Sequence, residues 1–277
     1  MKYELADIGS LGPDRVLLGA GQGGPTIWDR RHKAHCLVSG ENGSGKGGTM
    51  RTMQCHDVTA GNTIVVLAPD PGEYGWLRDV ATVATEDDAP EALAAVVDEM
   101  DRRRDQLATF EHNGITGADS WQALPDPPPW LAVYIDETPA LLGDEAAITY
   151  GLKTVNEMTR LVASIVKRGR KVRVSLVLAT QYPTLEGTFG RNPLGGSIRA
   201  NLPARIHCDR DPESLHAAFR AGQRIPGDVL AHLDAGIPGR VAYSFLNPDD
   251  RGRVIAGQIM WVTPTDAHAL THRKATR

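Results

Sequence analysis

The sequence predicts an α/β fold: a mostly parallel sheet with helices on both faces. Short apolar runs of strand length, such as Thr63–Leu67 and Leu131–Ile135, alternate with long stretches of helical spacing, such as Ala89–Phe110. The runs read as buried strands, and strand–helix alternation marks a parallel sheet with helices packed over it. Several runs also end in glycine-rich or polar segments, and sheets of this kind bind ligands beyond the carboxyl ends of their strands.

Taken in order, Val16–Leu18 and Thr26–Trp28 read as short leading strands, and Ala34–Val38 as a strand that enters a glycine-rich loop. A helix over Thr49–Val58 follows, then the strand Thr63–Leu67. The helix Ala89–Phe110 places Leu93, Val96, Val97, Met100 and Leu107 at helical spacing, and its self-compensated run Asp101–Asp105 reads as a solvated face. Pro125–Pro129 is a stiff polar break, so Gly114–Pro129 reads as a surface loop. The strand Leu131–Ile135, a second long helix over Ala147–Arg168, and strands at Val172–Ala179, Ala204–Cys208 and Gly239–Phe245 complete the pattern.

With 277 residues the chain is long enough for one large domain. We expect a single domain over 1–277, with N-terminal strands in 1–33, the core in 34–260 and a C-terminal tail in 261–277. No run of about 18 apolar residues is present, and the N-terminus lacks an apolar signal core. Cys36, Cys55 and Cys208 fit neither a disulfide framework nor a zinc pattern. The cytoplasm is the natural expectation. A net charge of −4 means that any grip on a polyanion must come from a local basic patch.

The stretch Val38–Met50 reads VSGENGSGKGGTM. Gly40 to Lys46 fits the phosphate-loop pattern G-x-x-x-x-G-K, between an apolar strand and a helix as the motif requires. Gly40, Glu41, Asn42, Gly43, Ser44 and Gly45, continuing into Gly47 and Gly48, let backbone N–H groups face a phosphate, and the helix N-terminus adds a favourable dipole. Lys46 is the residue that reaches the β- and γ-phosphates of ATP. The next position is ordinarily Ser or Thr, whose hydroxyl ligates Mg²⁺; here it is Gly47. The phosphate cradle survives that change, but one direct metal ligand is left to water or to Thr49.

Two more strand ends carry chemistry. WLAVYIDE (Trp130–Glu137) runs an apolar strand into two carboxylates, the form of a Walker B strand. In that form Asp136 would hold Mg²⁺, mostly through water, and Glu137 would polarise the attacking water as general base. VSLVLATQ (Val174–Gln181) ends in Gln181, placed to sense the γ-phosphate or orient water. Arg160, Lys167, Arg168, Arg170, Lys171 and Arg173 then form a basic stretch without an acidic residue. It reads either as a contact to phosphates or as a solvated helix end that complements the helix dipole. His32, His35, His56, His112, His207 and His216 show no ligand spacing and read as structural.

Together these residues resemble the FtsK/SpoIIIE family of DNA-pumping ATPases. PTIWDRRHKAHCLVSGENGSGKG (Pro25–Gly47) is similar to the family's entry strand and loop, and EALAAVVDEMDRRRDQLA (Glu91–Ala108) to its Glu-Met-x-Arg-Arg helix. AVYIDETPALL (Ala132–Leu142), IVKRGRKVRVSLVLATQYPT (Ile165–Thr184) and GSIRANLPARIHC (Gly196–Cys208) follow in the family's order. The style is similar to transfer proteins of actinomycete conjugative plasmids.

The resemblance implies a RecA-like P-loop NTPase core that forms homo-hexameric rings around double-stranded DNA and acts in DNA transfer or segregation. Its ATP sites would lie between subunits, completed by a neighbour's arginine, for which Arg168 and Arg170 are the candidates. Gly187–Gly196 would be a mobile loop near the pore. The chain departs from the family at Gly47, and at LAPDPGEYG (Leu67–Gly75), where the family has an Asp-Pro-Lys turn. No membrane segment precedes the motor, which leaves anchoring to a partner, and no winged-helix pattern follows Gly239. Two rivals stay open: a nucleotide-held scaffold that hydrolyses weakly, and an FtsK-like ATPase that moves protein.

Overall fold

The computed structural model describes residues 4–112, 115–117, 120–121, 126–219, 223–234, 237, 239–245 and 253–275. A hairpin of β1 (Arg15–Gly21) and β2 (Gly24–Asp29) leads to β3 (His35–Ser39), the glycine loop and α1 (Lys46–Ala60). β4 (Thr63–Leu67), a 3₁₀ segment (Pro71–Leu77), β5 (Thr82–Ala84) and α2 (Ala89–Thr109) follow. Among the described residues β6 (Glu111–His112) and β7 (Ile115–Thr116) form a separate two-stranded sheet. β8 (Leu131–Ile135) enters α3 (Thr138–Leu142), α4 (Asp144–Tyr150) and α5 (Leu152–Arg168). β9 (Val174–Thr180) enters α6 (Leu185–Phe189) and α7 (Gly195–Ala200). The chain continues through β10 (Ala204–His207), α8 (Pro212–Ala218), α9 (Gly227–Asp234), β11 (Arg240–Ser244), β12 (Ile255–Ile259) and α10 (Pro264–Ala275).

Among the described residues ten strands form one sheet, in the order β2-β1-β12-β11-β10-β3-β9-β8-β4-β5. Neighbours from β10 to β5 are parallel and those from β2 to β10 antiparallel. The parallel strands alternate between two cores because successive side chains point to opposite faces. Cys36, Val38, Ala132, Tyr134, Val177 and Ala179 pack on the side of α1. Leu37, Val133, Ile135, Leu176 and Leu178 pack on the side of α2 and α5. Both faces are covered, so all of β8 is buried and reads in sequence as an unbroken apolar run.

The expected strands and the long helix of α2 are present. The predicted helix over Ala147–Arg168 is instead α4 and α5, because Gly151 sits at φ 81, ψ 147, outside helical geometry. Gly187–Gly196, expected as a loop, holds the end of α6, the turn residues 190–194 and the start of α7. Phe189 and Ile198 at 1% and 0% exposure anchor it to the α5 side of the core. Part of the Gly114–Pro129 loop lies outside the described residues, but Trp121 within it is buried and donates to the Arg103 carbonyl at 3.0 Å.

Arg103 corrects the reading of Asp101–Asp105 as a solvated face. It lies on the Val96–Met100–Leu107 stripe, 5% exposed, and donates to the carbonyls of Pro129, Val172 and Arg173. Residues 261–277 contain α10, which packs on α1 and buries Ala267 and Thr271. A buried network ties the hairpin to the core: Arg30 pairs with Asp57 of α1, and Tyr134 of β8 donates to the same carboxylate at 2.5 Å.

Candidate nucleotide site

β3, β9 and β8 are adjacent and mutually parallel, so Gly40, Gln181 and Asp136 leave the sheet at one edge. Two hydrogen bonds lock the strand ends together. Gly40 N donates to the Thr180 carbonyl at 3.2 Å, and Thr138 Oγ1 to the Ala179 carbonyl at 2.7 Å. The loop itself depends on glycine: Gly40, Gly43 and Gly45 have φ of 145°, 77° and 109°, values that side chains strongly disfavour. Gly45 caps α1 without a side-chain partner, which leaves first-turn N–H groups for an anion.

The loop opens onto a cleft of about 380 Å³ that also holds Lys46, Arg51, Asp70, Glu73, Asp136 and Glu137. Lys46 Nζ donates to the Glu41 carbonyl at 3.1 Å and stands 3.9 Å from Glu137 Oε1. Asp136 accepts from the Tyr74 hydroxyl at 2.7 Å and from the Glu137 amide at 3.1 Å. Tyr74 is held protonated by burial and by that carboxylate. Glu137 is a non-glycine residue at φ 50, ψ 64, a left-handed conformation that costs on the order of 1 kcal/mol and clusters at functional sites. Burial raises the Glu137 carboxyl above the ordinary glutamate range, opposed by a hydrogen bond from Gln181 and the charge of Lys46. Cation, acidic pair and glutamine therefore meet at one place.

Not every candidate reaches it. Thr49 is 2% exposed and its Oγ1 lies 3.6 Å from Cys208 Sγ, so its hydroxyl faces the interior rather than the cleft. A Cβ added at Gly47 would meet nothing within 4 Å, so the missing hydroxyl is not a steric necessity. Arg168 and Arg170 stand before β9, at the end of the strand opposite Gln181. Seven residues of β9 span about 23 Å at about 3.3 Å each. Arg168 donates to Asp101 Oδ1 at 2.8 Å and to Ser164 Oγ. Arg173 leaves the basic stretch altogether: it is 2% exposed and paired with Asp14 at 2.8 Å.

Tyr74, Asp70 and Glu73 were missed because they come from the PDPGEYG turn, read as a departure from a family pattern; an acidic and aromatic turn at a strand's carboxyl end was the available signal. The histidines read as structural behave so where described in the core. His35 Nδ1 accepts from Leu176 N, and His207 bonds Ser39 Oγ at 2.9 Å. Burial and the charge of Arg170 push His35 down to about 3, which keeps it neutral.

A glycine loop between strand and helix, with an acidic pair two strands away, defines a P-loop nucleotide-binding protein with a mostly parallel sheet. Residues 14–184 match the FtsK/SpoIIIE family, more than half of the 277 residues, and the chain belongs to that family. It is 27% identical over 264 residues to "DNA translocase SftA" of Bacillus subtilis (strain 168), covering 88% of this chain and 26% of that protein. With "DNA translocase FtsK" of Tropheryma whipplei (strain TW08/27) it shares 28% identity over 296 residues, covering 96% and 36%. The chain thus spans about a quarter to a third of these relatives.

The solved "pCW3 conjugation coupling protein TcpA" in its monomer form with ATPγS has the same fold. Its TM-score is 0.73 at 18% identity, covering 99% of this chain and 74% of that one. EssC (ATPases 2 and 3) from Geobacillus thermodenitrificans matches at a TM-score of 0.67 and 13% identity, covering 94% and 48%.

Proposed function

We propose that the chain is a single ATP-hydrolysing motor domain that moves double-stranded DNA in DNA transfer or segregation, working in the cytoplasm as a homo-hexamer. The observation that carries this reading is the convergence of Lys46, Asp136, Glu137 and Gln181 at the carboxyl ends of three adjacent parallel strands. The relatives named DNA translocases support the choice of substrate. A membrane-anchored partner is part of this reading; no helix among the described residues is long and apolar enough to cross a membrane.

In this reading Gly40 to Gly48 hold the phosphates through backbone N–H groups, and Lys46 gives up its bond to the Glu41 carbonyl to meet them. Glu137 accepts a proton from the attacking water, a task suited to a carboxylate whose pKa burial has raised. Gln181, bonded to Glu137, couples that carboxylate to β9. Mg²⁺ fits the cleft: it ordinarily takes one or two carboxylates plus phosphate and water. Asp136 shares the cleft with Asp70 and Glu73, and among the described residues no three His, Cys, Asp or Glu side chains group closely enough to hold a metal by themselves, so phosphate and water would complete the shell. When bound, the ion would neutralise charge on the phosphates. Arg168 and Arg170 lie at the opposite end of β9 from the chain's own cleft, so a role at ATP would be played in a neighbour's site.

The test is ATP turnover with and without long duplex DNA, beside Lys46→Ala. Turnover stimulated by DNA and lost in Lys46→Ala is expected; turnover indifferent to DNA would sink the DNA-moving reading and leave the protein-moving one. Gly47 favours a second reading, a nucleotide-held scaffold that hydrolyses weakly. Gly47→Ser separates the two: the space around the position is open, so a large gain in turnover would mean a naturally weakened site.

A further inference from the structure

The layer formed by α2 and α5 is polarised from end to end. Both helices start near the carboxyl ends of the parallel strands and finish near the amino ends. At the starting end the Tyr150 hydroxyl of α4 donates to the Glu86 carboxylate beside α2. That bond joins the acidic stretch Glu86–Asp88 to Asp144 and Glu145 of α4. Beside these carboxylates Ile148 and Leu152 are 87% and 70% exposed, the most exposed large apolar side chains among the described residues. At the finishing end a groove of about 360 Å³ lies between α2 and the end of α5. Buried Met100, Leu107 and Val172 form its floor, and exposed Lys167, Arg168 and Lys171 its rim. Its one carboxylate, Asp101, is already taken by Arg104 at 3.1 Å and Arg168 at 2.8 Å. Acids at helix starts and cations at helix ends suit the helix dipoles. The dipoles explain neither an apolar pair left in water nor an apolar floor under a cationic rim, and exposed apolar surface of this kind marks a contact.

The acidic, apolar end of the layer and the cationic groove with its apolar floor are complementary in charge and in chemistry. The 17 residues of α5 hold the two about 25 Å apart, so one copy cannot join them. We propose that the groove receives the Ile148–Leu152 knob of a second copy of this chain. The contact is heterologous, carboxyl end to amino end, and repeats into a ring or a filament. The proposal deepens the homo-hexamer reading and rests on it. It also turns Arg168 and Arg170 of one copy toward the end of the next copy that holds the nucleotide cleft. The test is sedimentation velocity with ATP, with and without duplex DNA, on the wild-type chain, Ile148→Ser, and Lys167→Glu combined with Lys171→Glu. Leu152→Ser serves as a second knob variant. All four positions are exposed, so thermal melting should stay where it is and report that the variants fold. Each variant alone should self-associate at least about tenfold more weakly than wild type, the scale of one apolar side chain no longer buried. Mixed in equal amounts, a knob variant and the rim variant should form a one-to-one pair and nothing larger. The intact knob of one fits the intact groove of the other, and both remaining faces are spoiled. Variants that assemble as wild type does overturn the proposal and leave the homo-hexamer reading standing, as does a mixture that pairs no better than its components. A wild-type chain that stays monomeric under every condition overturns both.

Discussion

At the carboxyl ends of β8 and β9, Asp136 and Glu137 border an open cleft with Lys46, and Gln181 hydrogen-bonds Glu137. At the amino ends of the same strands, the buried charged side chains are consumed by the chain itself. Arg103 donates to the Pro129, Val172 and Arg173 carbonyls. Arg173 pairs with Asp14 and lies 5.0 Å over the Trp130 ring, whose Nε1 donates to the same carboxylate at 2.8 Å. Burial is similar at the two ends, since Lys46 and Arg103 are 7% and 5% exposed. What differs is satisfaction. Charges matched to carbonyls and partners close the sheet, whereas a lysine held by one loop carbonyl beside a strained glutamate is ready to exchange partners.

The largest effect that would sharpen this contrast is in Glu137→Gln. Loss of a general base lowers turnover by about 10²–10⁴-fold, with ATP binding retained. Because the Glu137 pKa is raised by burial, wild-type turnover should decline on acidification while the pH is still above the ordinary glutamate range, as the base becomes protonated. That acid limb should vanish in Glu137→Gln; an unchanged pH profile in the variant removes Glu137 from the role of base.

Next in size is Arg103→Met, which orphans three carbonyl contacts at the opposite end. Charged hydrogen bonds of this kind are worth roughly 2–3 kcal/mol, so urea unfolding should show a loss of that order. A stable variant would break the claim that the amino end is structural. The smallest effect on stability is expected for Arg168→Ala. Its pair with Asp101 is 40% exposed on both sides, and such pairs contribute at most about 1 kcal/mol. Thermal melting should barely move. Turnover should fall only under conditions where subunits assemble; an equal fall in isolated subunits would place Arg168 at its own chain's site, against the geometry.

Much of the site was legible before any coordinates. Asp136, Glu137 and Gln181 follow strands whose apolar runs are continuous in sequence, and Lys46 ends the glycine loop that follows another. Arg103 was legible in principle as well, because its spacing from Val96, Met100 and Leu107 places it on the buried stripe; the neighbouring charges hid that spacing. Thr49 could not have been judged from spacing, since its direction depends on Cys208, which the next strand of the sheet delivers.

By itself, the sequence determined the alternation of strands and helices, the phosphate loop and the acidic strand end. These are written in contiguous residues, where periodicity and turn chemistry act locally. Only the tertiary structure decided that β12 lies between β1 and β11, that Tyr74 grips Asp136, and that Trp261 stands over Gly48. Each joins segments far apart in the chain, and such pairings follow from how whole faces bury together rather than from any local pattern.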